Sequence, residues 1–398
     1  MIRRLPALAL LLTLLSPSLG IAEGAEPSSS QPRGGRFDKP VSQAELRQAI
    51  GRGVDYLVKH QNANGSWGSP APNMFLDIYS PVPGSHQAYE VASSALALSG
   101  LIEVGGDRPG VAAAIRRGAD WLLANHRVKR VHPRVLYNTW AHAYALEAFV
   151  RLLDREPDEA RRARYRAGAV EAVALLDRFQ YVDGGWGYYD FSHRTRKPGH
   201  GQANSFTTAT ALAALAMARD AGIEVPDRLV KPALRLIRMS RLPGGAYSYG
   251  FGFSFRMPWG VNKPEGSLAR TPGCQAALLA WDDPVPIRRV VAALDRLEKL
   301  GHFLQIARKY PRPHESWFQN SGYFCFYGYY YATWLLQRVD PKVRAHHQAR
   351  IAAHLVPLQE EDGSFWDYQL FGYHKAYGTG YVLVALGRCL SAAPTTGP

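Results

Sequence analysis

Two kinds of apolar pattern alternate along the chain from Ala44 to Leu390. In the first, apolar residues recur every three or four positions and leave one face to Arg, Lys and Asp, as in RGVDYLVKH from Arg52 and RGADWLLANH from Arg117; this predicts amphipathic helices. In the second, small and apolar residues run nearly all round: HQAYEVASSALALSGL from His86, NTWAHAYALEAFVRLL from Asn138, NSFTTATALAALAMA from Asn204, RTPGCQAALLAW from Arg270, GYYYATWLLQ from Gly328 and HKAYGTGYVLVALG from His374. A helix that is apolar all round needs cover on every side, so the second set is predicted inside and the first outside.

A turn recurs after the outer helices. RGVDYLVKHQNANGSWG runs from Arg52 to Gly68 and reads as Arg-Gly-x-x-Tyr-Leu-x-x-x-Gln-x-x-x-Gly-x-Trp. AVALLDRFQYVDGGW keeps Gln180, Gly184 and Trp186, and RIAAHLVPLQEEDGSF keeps Leu355, Gln359, Gly363 and the aromatic Phe365. Partial copies put His126 and Ser240 at the glutamine place, and a degenerate unit lies near Ile287 to Leu304. The period is about 60 residues, which gives about six helix pairs. Six pairs alternating inside and outside close into a ring, an all-α α/α toroid (an α6/α6 barrel). An open solenoid is the alternative, and it needs polar caps that neither terminal unit shows.

The repeated turn resembles the QW motif of squalene-hopene cyclases, and the span from Ala44 to Leu390 resembles the prenyltransferase and squalene-cyclase repeat superfamily. The resemblance implies that Gln61, Trp67, Gln180, Trp186, Gln359 and Phe365 are scaffold: the glutamine caps a neighbouring outer helix and the ring packs against it. It also implies two possible chemistries, and this chain departs from both. The Asp-x-Asp-Asp acid of the cyclases is absent, since the only Asp-Asp pair is Asp282-Asp283, ahead of Pro284. The zinc set of protein prenyltransferases places a cysteine at Cys274, but Pro272 and Gly378 stand where its other two ligands belong. His374, one turn upstream of Gly378, is the nearest substitute. The expectation is therefore no metal and no cofactor.

Export changes the picture further. Residues 1–22 carry Arg3 and Arg4, an apolar run from Leu8 to Leu15 and small residues near Ala22, the order of a secretory signal. Residues 23–43, rich in Ser, Pro and Gly, read as a flexible leader, residues 44–392 as the toroid and 393–398 as a tail. Among 398 residues there are only three cysteines, enough for one disulfide at most. The formal charge of +14 favours an acidic partner. Those charges are scattered, with no basic stripe interleaved with aromatics, so nucleic acid is not expected. The pattern does not define an oligomeric state.

With the inner helices registered on Leu96, Leu146, Leu212, Leu278, Leu335 and Leu383, the layer four residues earlier holds Ala92, His142, Thr208, Cys274, Tyr331 and Thr379. Six residues earlier lie Glu90, Trp140, Phe206, Pro272, Tyr329 and Tyr377. Asn138, Trp140, His142 and Tyr144 on one helix, with Tyr327, Tyr330, Tyr331 and Trp334 on another and Tyr377 near the mouth, are the expected ligand-binding residues. Three functions remain open. The chain is a binder of an apolar or isoprenoid-type ligand, a terpenoid enzyme whose acid is Glu90 or Asp367, or a lyase of acidic glycans. In the lyase, His142 or Tyr144 takes the proton while Asn138 and Arg270 neutralise the enolate.

Overall fold

The computed structural model describes residues 39–72, 83–130, 132–190, 197–199, 203–251 and 259–390. The expected signal, most of the leader and the tail lie outside the described residues. Among the described residues the regular structure is helical, with thirteen α-helices and a few isolated β-bridges. No helix among them is long and apolar enough to cross a membrane.

The outer helices are α1 (Gln43–Lys59), α3 (Val111–Asn125), α5 (Glu159–Phe179), α7 (Asp227–Met239), α9 (Ile287–Leu300) with the short α10 (His302–Ala307), and α12 (Pro341–Leu355). The inner helices are α2 (Pro83–Val104), α4 (Asn138–Arg155), α6 (Ser205–Asp220), α8 (Arg270–Ala280), α11 (Phe324–Leu335) and α13 (His374–Gly387). α2 packs on α4, α4 on α6, α6 on α8, α8 on α11, α11 on α13 and α13 back on α2, so the inner ring is closed. The fold is an α/α toroid. It starts sharply because Ser42 and Glu45 form a reciprocal capping box on α1, satisfying donors that the first turn leaves open.

Closure of the inner ring needs close backbone approach at the α2–α13 seam, and two glycines provide it. A Cβ on Gly380 would lie 2.3 Å from the Leu96 carbonyl oxygen, and one on Gly100 would lie 3.1 Å from the Gly380 Cα. Gly380→Ala is therefore expected to cost about 1–3 kcal/mol by forcing the two helices apart, measured as a lower denaturant midpoint.

The recurring turn stitches the outer helices together. Gln61 Nε2 donates to the Gly65 carbonyl (2.9 Å) and across to Ala114 on α3 (2.9 Å). Gln180 does the same to Gly184 and to Leu229 on α7, both at 2.8 Å. Gln359 bonds Gly363 (2.9 Å) and Ala49 on α1 (2.8 Å), so the last unit is fastened to the first. The acceptors sit within these helices rather than at an open end. Gly65, Gly184 and Gly363 all take positive φ, between 87° and 103°, where an L side chain is strained.

The Arg-Gly pair of the repeat also has a reason. Arg117 and Arg52 donate to the side-chain oxygens of Gln61 and Gln359. Gly118 leaves room for the Trp67 ring, which would lie 2.8 Å from a Cβ there. The aromatic amides are held by inner-helix hydroxyls: Trp67 by Ser94, Trp186 by Thr208 and Phe365 by Thr379, at 2.9–3.0 Å.

Two units depart from the expected register. In the fourth, the turn bridge pairs Arg241 with Tyr247 as it pairs Gln61 with Trp67. Arg241, not Ser240, therefore occupies the glutamine place, and the turn ends on Tyr247. In the second, His126 faces Glu171 of α5, with Nε2 3.2 Å from Oε2.

Candidate functional site

The N-terminal halves of α2, α4, α6 and α13 surround a pocket at one mouth of the inner ring. Twelve described residues line it, eight of them aromatic. Trp140, Tyr144, Phe206, Tyr377 and Tyr381 come from the inner helices, joined by Tyr89 on α2. Tyr323, Tyr368 and Leu370 come from the loops before α11 and α13, and Ala92, Ser93 and Leu96 complete the wall. Counted out to open solvent, it holds about 580 Å³ of atom-free space. No carboxylate lines it among the described residues.

The wall is an aromatic network. Trp140 stacks on Tyr137 (5.6 Å between centroids, 14° between planes) and lies 5.2 Å from Tyr188. Phe206 meets Trp140, Tyr323 and Tyr327 edge-on or tilted at 4.8–6.1 Å. Below, the hydroxyls of Tyr144 and Tyr381 bond each other. Tyr381 packs 5.2 Å from Tyr330, whose hydroxyl donates to buried Glu147. The pocket floor is thus a sealed aromatic layer whose polar atoms are turned onto protein partners.

One acid stands behind the wall. Asp367 is fully buried; its Oδ1 accepts the Tyr377 hydroxyl (2.7 Å) and its Oδ2 the Phe326 amide (3.0 Å). Burial raises its pKa to about 6, against these hydrogen bonds, which lower it. The folded protein thus holds this proton more tightly than the unfolded chain, whose aspartate titrates near 3.9. Stability should then fall as pH rises from about 4 to about 6, by on the order of 3 kcal/mol, and Asp367→Asn should flatten that slope in melting curves taken across the same range.

The other expected site residues are divided. Trp140, Tyr144 and Tyr377 line the pocket, whereas His142 does not: it is fully buried, stacked on Phe179 at 5.6 Å, and desolvation pushes it down to about 3. It points to the outer layer, with Asn138 Nδ2 3.5 Å from its Nε2. Glu90 accepts from Ser66 in the first turn (2.7 Å). Arg270 is fully buried and donates to the carbonyls of Gly266, Tyr247 and Val261 at 2.5–3.2 Å, so it pins loops rather than facing the pocket. Tyr327, which bonds the Phe206 carbonyl at 3.2 Å, and Tyr331 fill the ring below the pocket. Trp334 lies beneath Arg388 near the other end.

Helical register accounts for these differences. Trp140 and Tyr144, like Tyr377 and Tyr381, are four apart and share the inward stripe, six and two residues before Leu146 and Leu383. Residues four before Leu146, Leu212 and Leu383 face outward, which is why Thr208 and Thr379 hold turns instead of lining a cavity. Ser94 performs the same task on α2, so its anchor is Leu98, not Leu96. The loop residues Tyr323, Tyr368 and Leu370 carry no periodic signal.

The zinc candidates are not brought together. Cys274 Sγ sits on the Ser205 carbonyl, its thiol pushed up to about 12 by burial, on a helix separated from α13 by α11. His374 Nδ1 bonds the Phe371 carbonyl (2.6 Å). Glu298, His346 and His347 do bring three donor atoms within 4.8 Å of one another on the outer surface, where Arg350 already occupies Glu298.

No protein-family model matches the chain. Among solved structures it is similar to cellobiose 2-epimerase from Bacillus thermoamylovorans, at 10% identity and a TM-score of 0.54, covering 86% of this chain and 98% of that one. It is similar to an inactive variant of the α-1,6-mannanase GH76A from Salegentibacter sp., bound to α-1,6-mannotriose, at 10% identity and a TM-score of 0.53, over 87% of this chain and 99% of that one. A type II terpene cyclase from Scytonema shows 18% identity with a TM-score of 0.46, over 87% and 98% of the two chains. What the epimerase and the mannanase share with this chain is the toroid.

Proposed function

We propose that the protein is an exported α/α toroid that binds an apolar, isoprenoid-type ligand in the aromatic pocket at the mouth of its inner ring. The observation that carries this reading is the wall itself, eight aromatic rings in twelve described lining residues, with no carboxylate among them. Such a wall gains by removing apolar surface from water and offers few polar groups to orient a hydrophilic substrate. Ring faces carry negative electrostatic potential, so the pocket also tolerates positive charge without a counter-ion. Glycosidase chemistry asks for two carboxyl groups flanking the bond to be broken, and the described wall supplies none. Export rests on the charged and apolar N-terminal pattern.

Organic extraction of protein purified from its native host, followed by mass spectrometry, tests the reading. A bound isoprenoid or related lipid near one per chain supports it, and its absence together with a recovered oligosaccharide would overturn it. Glycan binding is the second reading. It is supported by the mannotriose-bound mannanase and by aromatic rings on which sugars can stack.

A further inference from the structure

The fourth junction of the outer ring is built differently from the first, third and sixth. Arg241 stands where the others have glutamine. On the facing helix, Ala292 stands where α1 and α3 have Arg52 and Arg117, because Arg289 precedes buried Leu297 by the same interval that separates Ala49 from Leu57. The Arg289 carbonyl, in the place of the carbonyls that accept a turn glutamine, takes Gln275 from α8 instead, at 3.2 Å. The amide that fills the first, third and sixth junctions and the arginine that joins it in the first and sixth are both missing here, and a cleft of about 730 Å³, counted out to open solvent, takes their place.

Four arginines line that cleft: Arg241, Arg288, Arg289 and Arg296. No carboxylate joins them among the described residues. Among the described residues, Arg241 Nε and Nη2 are shut off from solvent and meet no acceptor in bonding geometry, though the guanidinium lies beside the Tyr247 hydroxyl, and Gln275 Oε1 in the same wall meets no donor. Arg296 Nη2 reaches the Gly244 carbonyl at 2.7 Å, which holds one guanidinium at the cleft wall. Arg288 and Arg289 stand in the first turn of α9, whose N-terminus has neither a side-chain cap nor an acidic residue, so the helix dipole adds to the same positive field. Buried guanidinium donors without acceptors are costly to leave unmade, and several arginines around one cleft can share a phosphoryl group, which offers three oxygens and up to two charges where a carboxylate offers two oxygens and one charge.

We propose that this cleft is an anion site for a phosphoryl group, phosphate or diphosphate, free or as the head of a larger ester. The site lies on the outer ring and stands independently of the aromatic pocket. Phosphate takes donors from Arg241 at the back and from Arg288 and Arg289 at the rim, and its second charge is balanced by Arg296.

Calorimetric titration of the whole chain in low-salt, phosphate-free buffer tests this with inorganic phosphate, pyrophosphate, a phosphate monoester and acetate. Saturable binding of phosphate or pyrophosphate, weakening as salt is raised, is the expected result. Equal binding of the monoester shows an ester head as the occupant, and loss of affinity for it shows the free anion. The variant R241Q/A292R, which rebuilds the junction of the first and sixth units, should lose binding about tenfold or more while its melting temperature holds or rises. R288Q/R289Q changes two exposed side chains and should weaken binding without touching the fold. Absence of binding, equal binding of acetate, or unchanged affinity in R288Q/R289Q would overturn the proposal.

Discussion

Trp186→Ala is expected to lower the free energy of unfolding by about 3–5 kcal/mol, read as a large fall in the denaturant midpoint with the slope unchanged. The ring is fully buried, and two separate contributions vanish with it. Its Nε1 donates to the Leu176 carbonyl at 2.9 Å, joining the turn to the outer helix that precedes it. Its backbone amide lies on Thr208 of α6, a grip on the inner ring that alanine keeps. The apolar surface of the indole is withdrawn from water at a junction where Gln180 and Gly184 already fix the backbone. Phe365→Ala, at the matching place in the sixth unit, lacks the indole donor and should cost less. A smaller loss from Trp186→Ala than from Phe365→Ala would show that the ring is not the fastening described.

Ala92→Trp should abolish ligand binding in the aromatic pocket, by about a hundredfold or more, since an indole at this position occupies the space between Tyr89, Phe206 and Tyr381. The half-buried position faces the pocket rather than a packed helix seam, so the cost in stability should stay within about 1–3 kcal/mol. The check pairs a melting curve with a titration of farnesol, a C15 isoprenoid alcohol. Retained farnesol binding in a folded Ala92→Trp protein would place the ligand elsewhere on the molecule.

Much of the architecture was legible in the sequence because the repeat carries geometry as well as identity. Gly65, Gly184 and Gly363 mark positive-φ turns, the Gln-to-aromatic interval sets the reach to the next helix, and Arg-Gly marks where that reach lands. The fourth unit keeps the same six-residue interval, from Arg241 to Tyr247, but an arginine holds the glutamine place, so no amide marks it and the neighbouring Ser240 stands out instead. The fifth was harder still, because α10 stands where the other units have a turn.

The site was only partly legible, for a physical reason. A helix apolar on all faces has no polar stripe to show which side faces the cavity, so register on α2 and α11 had to be chosen without a marker. On α4 and α13 the wall residues Trp140 and Tyr144, like Tyr377 and Tyr381, are four apart, whereas Asn138 and His142, equally polar or aromatic in sequence, do not line the pocket. His142 looked chemical in sequence, but the fold turns it onto Phe179 and strips it of water. Arg270 looked like an anion ligand, and the loop carbonyls around it take both of its Nη groups. Tyr323, Tyr368 and Leu370 come from segments whose position depends on the closed ring, and no local pattern announces them.

Farnesol and α-1,6-mannotriose titrated side by side, with Trp140 emission as the reporter and Trp140→Phe as the control, test the central claim most directly. Trp140 lines the pocket and stacks within its wall, so an occupant must change its surroundings. The account predicts a saturable emission shift with farnesol that disappears in Trp140→Phe, and no shift with mannotriose. A saturable shift with mannotriose and none with farnesol would contradict it.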